Sequence, residues 1–244
     1  MNNDLHLYAG NFDRSFIDFS RGIRVGHLEP NQRITQIVKA VLVARHEADM
    51  TCDRWGRGVY WRWICWVPRP NRDAKPVSSG HNFGSAKFFI SVDPDEHTFS
   101  AGMQIERAPD KPSSDSFGVS LKSDWDWHVM LKALKGRGLP REIKRLLGEG
   151  FLLRMGRFEE PVEYSSGNWN AAACRRAAAK STLGDWRMFQ LAFHFPEKEV
   201  KNMSGSEIVE AVIAIFEEVT VAMNSCMYHP CLKPQPDDEF LNLE

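Results

Sequence analysis

The sequence lacks the short motifs that announce common chemistries. It has no Gly-x-x-x-x-Gly-Lys-Ser/Thr loop, no His-Glu-x-x-His, no Gly-x-Ser-x-Gly and no Gly-x-Gly-x-x-Gly. These absences argue against P-loop NTPases, zincins, α/β-hydrolases and dinucleotide enzymes, and they imply no cofactor. No apolar run approaches the 18 or so residues of a membrane span. The opening Met-Asn-Asn-Asp-Leu-His-Leu lacks the basic and then apolar pattern of a signal peptide. The expectation is a cytoplasmic protein without a membrane partner. Excess charge is missing too: the formal net charge is −1, so any attraction for a polyanion must come from a local patch.

Cysteine is sparse, odd in number at five, and never spaced Cys-x-x-Cys. Reduced thiols are the default in such a chain. One cluster, Cys226-Met-Tyr-His229-Pro-Cys231, brings zinc-ligand types close together, and His46 or Cys52 could complete a set of four. Without paired knuckles, and with Pro230 inside the cluster, incidental cysteines beside a helix end are the simpler account.

The chain is organised around Arg54 to Arg107. Five arginines (Arg54, Arg57, Arg62, Arg69, Arg72) and four tryptophans (Trp55, Trp61, Trp63, Trp66) fall between 54 and 72 with no acid among them. Val59 to Val67 has the length and aromatic content of a strand. Strict alternation would put Val59, Trp61, Trp63, Cys65 and Val67 on one face, and Tyr60, Arg62, Ile64 and Trp66 on the other. Both faces are largely apolar, which predicts a central strand ended by Pro68 and Pro70. Two β-rich runs, 86–93 and 98–107, flank Pro94-Asp95-Glu96-His97 and predict a hairpin. Gly102 inside the second run signals a bulge or a close backbone approach.

Helical spacing predicts helices at 34–49, 123–147 (a pair broken at Gly136 and Gly138), 170–180 and 206–225. The last is opened by a Ser204/Glu207 capping box. Phe12, Phe16 and Phe19 fit a short helix. Further strands are expected at 151–158 and 187–195. The fold expectation is α+β: an antiparallel sheet of about five strands packed against three or more helices. One domain would span 1–231, with an internal boundary available at 108–122 and a loose acidic tail at 232–244.

Three functions compete. Arginine pairs with phosphate and stacks on bases, and aromatic rings give bases a platform. A second basic segment, 132–157, carries eight basic residues against two acids. A nucleic-acid-binding module for DNA or RNA would use Arg54, Arg57, Arg62, Arg69 and Arg72 with Lys135, Arg137, Arg141, Lys144 and Arg145. The bland alternative is a packed strand with arginines at its ends and two solvated helices. An enzyme would gather Asp73, Lys75, His81 and Glu106 around the 71–81 loop. A metal nuclease would add Asp93 or Asp95 and Lys87. An assembly subunit would bury exposed aromatics against a protein partner.

The run Arg72-Asp73-Ala74-Lys75-Pro76, then Lys87-Phe-Phe-Ile-Ser-Val, then Phe99-Ser-Ala-Gly-Met resembles a bacterial family known only as a domain of unknown function. Its members place an Arg-Phe-Ser-x-Asp-Lys-x-Pro-Tyr-Lys run before a Tyr-Tyr-x-His and Gly-Gly strand pair. Here the tyrosine and second lysine are missing, and Ala74 separates Asp73 from Lys75. The resemblance implies an α+β fold and no established activity.

Overall fold

The computed structural model describes residues 11–75, 84–107, 126–179 and 186–234, with the backbone alone at Trp55 and Arg57. Among the described residues nine strands form one sheet: β1 (Ile17–Asp18), β2 (Gly22–Arg24), β3 (Met50–Arg57), β4 (Tyr60–Pro68), β5 (Lys87–Asp93), β6 (Thr98–Arg107), β7 (Leu152–Arg157), β8 (Pro161–Tyr164) and β9 (Arg187–Pro196). Every pairing is antiparallel. The order is β1-β2-β4-β5-β6-β9-β7-β8, with β3 on the other edge of β4. The helices among the described residues are α1 (Ile34–His46), α2 (Arg69–Asp73), α3 (Asp126–Ala133), α4 (Gly138–Gly148), α5 (Ala171–Ala179), α6 (Glu197–Asn202), α7 (Gly205–Glu218) and α8 (Thr220–Cys226). The class is α+β, with a larger sheet than the five strands expected. No helix among them is long and apolar enough to cross a membrane.

The extra strands are β1, β2, β3 and β8. The first two have only two and three residues, too few for a period to show. The expected helix through Phe12, Phe16 and Phe19 is instead a 3-10 turn at Arg14–Phe16 running into β1. Phe12 and Phe19 are buried there without a helix. The helix expected to reach 49 stops at His46, because Glu47 turns left-handed at φ +52°. The chain then enters β3, whose Asp53, Gly56 and charged neighbours depress strand propensity but suit an edge.

Alternation places one large core under the helices. Ile64, Trp66, Phe88, Ile90, Phe99, Met103, Phe189 and Leu191 face it. Helices α1 and α7 seat on this face. Trp66 Nε1 donates to the Thr35 carbonyl at 3.1 Å, and Phe216 stacks on Phe88 at 4.8 Å. Helix α7 carries the expected capping box: Ser204 Oγ accepts the Glu207 N–H, and the Glu207 carboxylate accepts the Ser204 N–H. The helix expected over 206–225 breaks at Val219 into α7 and α8.

The opposite face of the sheet, called the far face below, carries a small apolar cluster of Cys65, Val67, Phe89 and Ala192 with Trp63 beside it. Gly102 lies in this face as the cross-strand partner of both Phe89 and Ala192. A Cβ there would stand 2.1 Å from the Leu191 carbonyl oxygen, so the close approach expected from sequence is real and requires glycine. Strands on either side of 108–125 join one sheet, since β6 pairs with β9 over ten residues; the boundary expected at 108–122 lies outside the described residues. Of the tail expected at 232–244, only 232–234 fall within the described residues, and they are not loose. Leu232 is buried, and the Asn224 side chain bonds both its N–H and its carbonyl.

Candidate functional site

The start of β4 departs from strict alternation. Trp55 pairs with Trp63 and Gly56 with Trp61, so Arg62 has no partner on β3. This bulge reverses the facing of everything before it. Trp61 joins the helix-side core instead of sharing a face with Trp63. Tyr60 and Trp63 come to the same far face. Arg62 is left exposed at the bulge.

Two arginines stack on rings at this end of β4, one on each face of the sheet: Tyr60 on the far face and Trp61 on the helix side. The Arg21 guanidinium carbon lies 3.9 Å from the Tyr60 ring centroid, and that of Arg54 lies 4.4 Å from the Trp61 centroid. Both guanidinium-bearing residues are exposed, and both rings are half-buried. Arg24 and Arg57 are the two strand partners of Tyr60. Residues 17–24 and 53–62, in the strands that meet at this edge, hold five arginines against Asp18 and Asp53, divided between the two faces of the sheet. Asp18 is engaged locally by Ser20 and the Arg21 N–H, and these bonds hold its carboxyl below the ordinary value. Arg21, Arg54 and Arg62 have no carboxylate partner among the described residues.

The other arginines of the predicted set are held differently. Arg69 bonds Asp49 at 2.7 Å and approaches Asp73 at 3.5 Å, while Arg72 bonds Asp73 and Thr51. Arg145 is bound by Glu142, Glu149 and Glu218, which raise its pKa further above the ordinary guanidinium value. Lys135, Arg137, Arg141 and Lys144 are exposed. They belong to the helix layer, where α4 buries Leu139, Ile143, Leu146 and Leu147. Helix α4 packs on β7, four strand spacings from β4, or about 19 Å. The two basic segments therefore do not form one face.

Behind the corner, a string of polar side chains crosses the far face. Trp63 Nε1 and Gln190 Nε2 both donate to Gln104 Oε1, at 3.2 and 3.1 Å. Gln104 Nε2 donates to Glu106 Oε1 at 2.7 Å, and Lys87 Nζ donates to Glu106 Oε2 at 2.9 Å. The Lys87 ammonium also lies 5.5 Å from the Trp63 ring centroid. Lys87 and Gln104 are buried, whereas Trp63 and Gln190 are half-exposed. Gln104, Gln190 and Arg21 carry no motif-level signal in the sequence; strand pairing alone assembles them.

A second buried cluster centres on Asp126, at the start of α3. Its Oδ2 accepts from Lys75 Nζ at 2.8 Å, Asn71 Nδ2 at 2.8 Å and the Ala86 N–H at 2.6 Å; its Oδ1 accepts from the Tyr228 N–H at 2.8 Å. Lys75 also donates to Ser85 Oγ at 3.0 Å. Burial lowers the Lys75 pKa, and the Asp126 charge opposes the shift.

The set predicted for an enzyme pocket is thus divided. Lys75 and Glu106 are buried in separate clusters, though the Lys87 charge reaches Lys75. Asp73 is exposed and paired with arginines. His81 lies outside the described residues. Asp93 and Asp95 sit at the β5–β6 turn, where Asp93 Oδ1 accepts the N–H groups of Asp95 and Glu96.

No group of three ligand-type side chains able to hold a metal occurs among the described residues. Cys226 is fully buried, which raises its thiol pKa well above the usual value. The His229 backbone N–H caps Asn71, and Cys231 is half-buried. Proposed ligands Cys52 and His46 are displaced by packing: His46 stacks on Phe88 at 6.0 Å, and burial pushes the Cys52 thiol up to about 11.

Among the side chains described, the large apolar ones that remain exposed are Phe158, Val162, Trp186 and Tyr228. No protein-family model and no curated protein matches the sequence.

Proposed function

We propose that the protein binds single-stranded nucleic acid at the arginine–aromatic corner where β2, β3 and β4 meet. The observation that carries this reading is the pair of guanidinium–ring stacks, Arg21 on Tyr60 and Arg54 on Trp61, with neither guanidinium tied to a carboxylate among the described residues. A ring holds a guanidinium by its face and leaves its edge N–H donors to a phosphate. Half-exposed rings beside such cations are what unpaired bases stack on. An exposed Arg62 at the bulge and Arg24 on β2 extend the cationic strip. Five arginines against two acids suit about three phosphates, a short single strand rather than a long duplex track. The helix pair at 126–148 is left out of this reading, because Arg145 is neutralised and the rest of its basic residues stand on another part of the molecule.

The test is fluorescence anisotropy with a labelled 12-nucleotide single strand. Wild type is compared with a triple Arg21→Ala, Arg54→Ala, Arg62→Ala variant and with a Lys135, Arg137, Arg141, Lys144 to Ala variant. The expected result is a loss of tenfold or more in the first and little change in the second. Equal affinities in all three proteins would overturn the proposal.

A further inference from the structure

We infer that the end of the β3–β4 hairpin is a wedge for a nucleic-acid fork: it seats the junction where a duplex parts, with one unpaired strand on each face of the sheet. The inference rests on the single-strand reading above.

The two arginine–ring stacks face opposite ways. Tyr60 and Trp61 are consecutive residues of one strand, so their side chains leave the sheet on opposite sides. Tyr60 lies on the far face, while Trp61, the strand partner of Ile23, packs on the helix-side core. Each ring carries its own guanidinium, Arg21 at 3.9 Å and Arg54 at 4.4 Å. Neighbouring bases stacked in one strand are only about 3.4 Å apart, whereas a sheet layer with its side chains is about 10 Å thick. One stacked strand therefore serves one ring, and filling both sites takes two strands.

The hairpin end is thin and free of acids. Beyond the pair of Trp63 with Ser91, β4 is flanked among the described residues only by β2 and β3. The turn between β3 and β4 holds Gly58, exposed at φ +65°, where an added Cβ would meet no atom within 4 Å. This turn stands clear of its surroundings. Arg62 is exposed just inside it, and no acid occurs from Arg54 to Arg72. Of the two acids nearby, Asp18 accepts from Ser20 and the Arg21 N–H, and Asp53 accepts the Arg54 N–H. A duplex meeting the tip end-on can part around it, with phosphates drawn to Arg21 on one side and to Arg54 on the other. The first unpaired base of each strand exchanges its lost neighbour for a guanidinium plane over a ring.

The experiment measures anisotropy at one low salt concentration with four labelled DNAs. They are a fork with two 12-nucleotide arms, the same duplex with one arm, the blunt duplex and the single strand. Wild type, Arg21→Ala and Arg54→Ala are compared, each first shown folded by circular dichroism. Holding one arm makes capture of the second intramolecular, so wild type is expected to bind the fork about tenfold or more tighter than the one-armed duplex. Each single variant is expected to bring the fork down to the one-armed level. The one-armed duplex should lose only about twofold, because either face still serves it. Equal binding of fork and one-armed duplex by wild type overturns the inference, as does a blunt duplex bound as tightly as the fork. So do folded variants that keep the wild-type preference for the fork. If the single strand is still bound in these cases, the single-strand reading stands. If wild type binds no unpaired strand at low salt, both fall.

Discussion

Asp126 Oδ2 lies 2.8 Å from Lys75 Nζ, and neither side chain meets solvent beyond 2% of its surface. The same carboxylate holds Asn71, the Ala86 N–H and the Tyr228 N–H. One buried acid therefore ties together α2, the entry to β5, the start of α3 and the segment after α8. Asp126→Ala would leave a buried ammonium unpaired and several N–H groups unmet, and is expected to lose about 3–5 kcal/mol of stability. Lys75→Met removes one charge but leaves the acid its other donors, so a smaller loss is expected. Urea unfolding measures both; an Asp126→Ala protein within about 1 kcal/mol of wild type would show that the cluster does not hold the fold.

His46 gives the fold an acid-side weakness. Burial first, and the Arg45 charge second, push its pKa from 6.5 down to about 4. The folded state thus prefers neutral imidazole. Its contribution is fully present above pH 6.5 and is lost as pH falls from 6.5 toward 4. At pH 4.5 the loss amounts to about 2–3 kcal/mol relative to pH 7. His46→Phe keeps a ring against Phe88 and cannot charge. The stability difference between wild type and His46→Phe should shift by that amount between pH 7 and pH 4.5, since carboxylates titrate in both. A pH-independent difference would mean that the imidazole stays accessible.

Gly102 tests the sheet. Its Cβ position would sit 2.1 Å from the Leu191 carbonyl oxygen and 2.7 Å from Ala192 Cα, both backbone atoms. Gly102→Ala must therefore separate β6 from β9 at their centre. The expected result is a loss above about 3 kcal/mol, or insoluble protein, read by thermal unfolding. A wild-type melting temperature would mean the two strands pass farther apart.

Much of this architecture is local and hence legible in the sequence. The β5–β6 hairpin follows from alternation and a Pro-Asp turn, and α7 from its capping box. Strand β3 escapes because an edge tolerates Asp53 and Gly56, which read as loop. Strands β1, β2 and β8 are too short for a period. The site is only half legible. Arg54, Arg57 and Arg62 stand out beside tryptophans, but alternation assigns Trp61 to the face of Trp63, and the bulge at Arg62 separates them. Arg21 and Arg24 lie more than thirty residues upstream of Tyr60 and join it only through the β2–β4 pairing. Nothing local marks Gln104 and Gln190 as a pair, because their contact depends on a register between strands 86 residues apart.

The salt dependence of single-strand binding addresses the central claim most directly. Affinity for a 12-nucleotide strand, measured between 25 and 200 mM salt, should fall with a log–log slope of about −2, the value for roughly three phosphates neutralised. The slope should flatten toward zero in the Arg21, Arg54, Arg62 triple alanine variant. Absence of binding at the lowest salt, or a slope that the triple substitution leaves unchanged, would contradict the account.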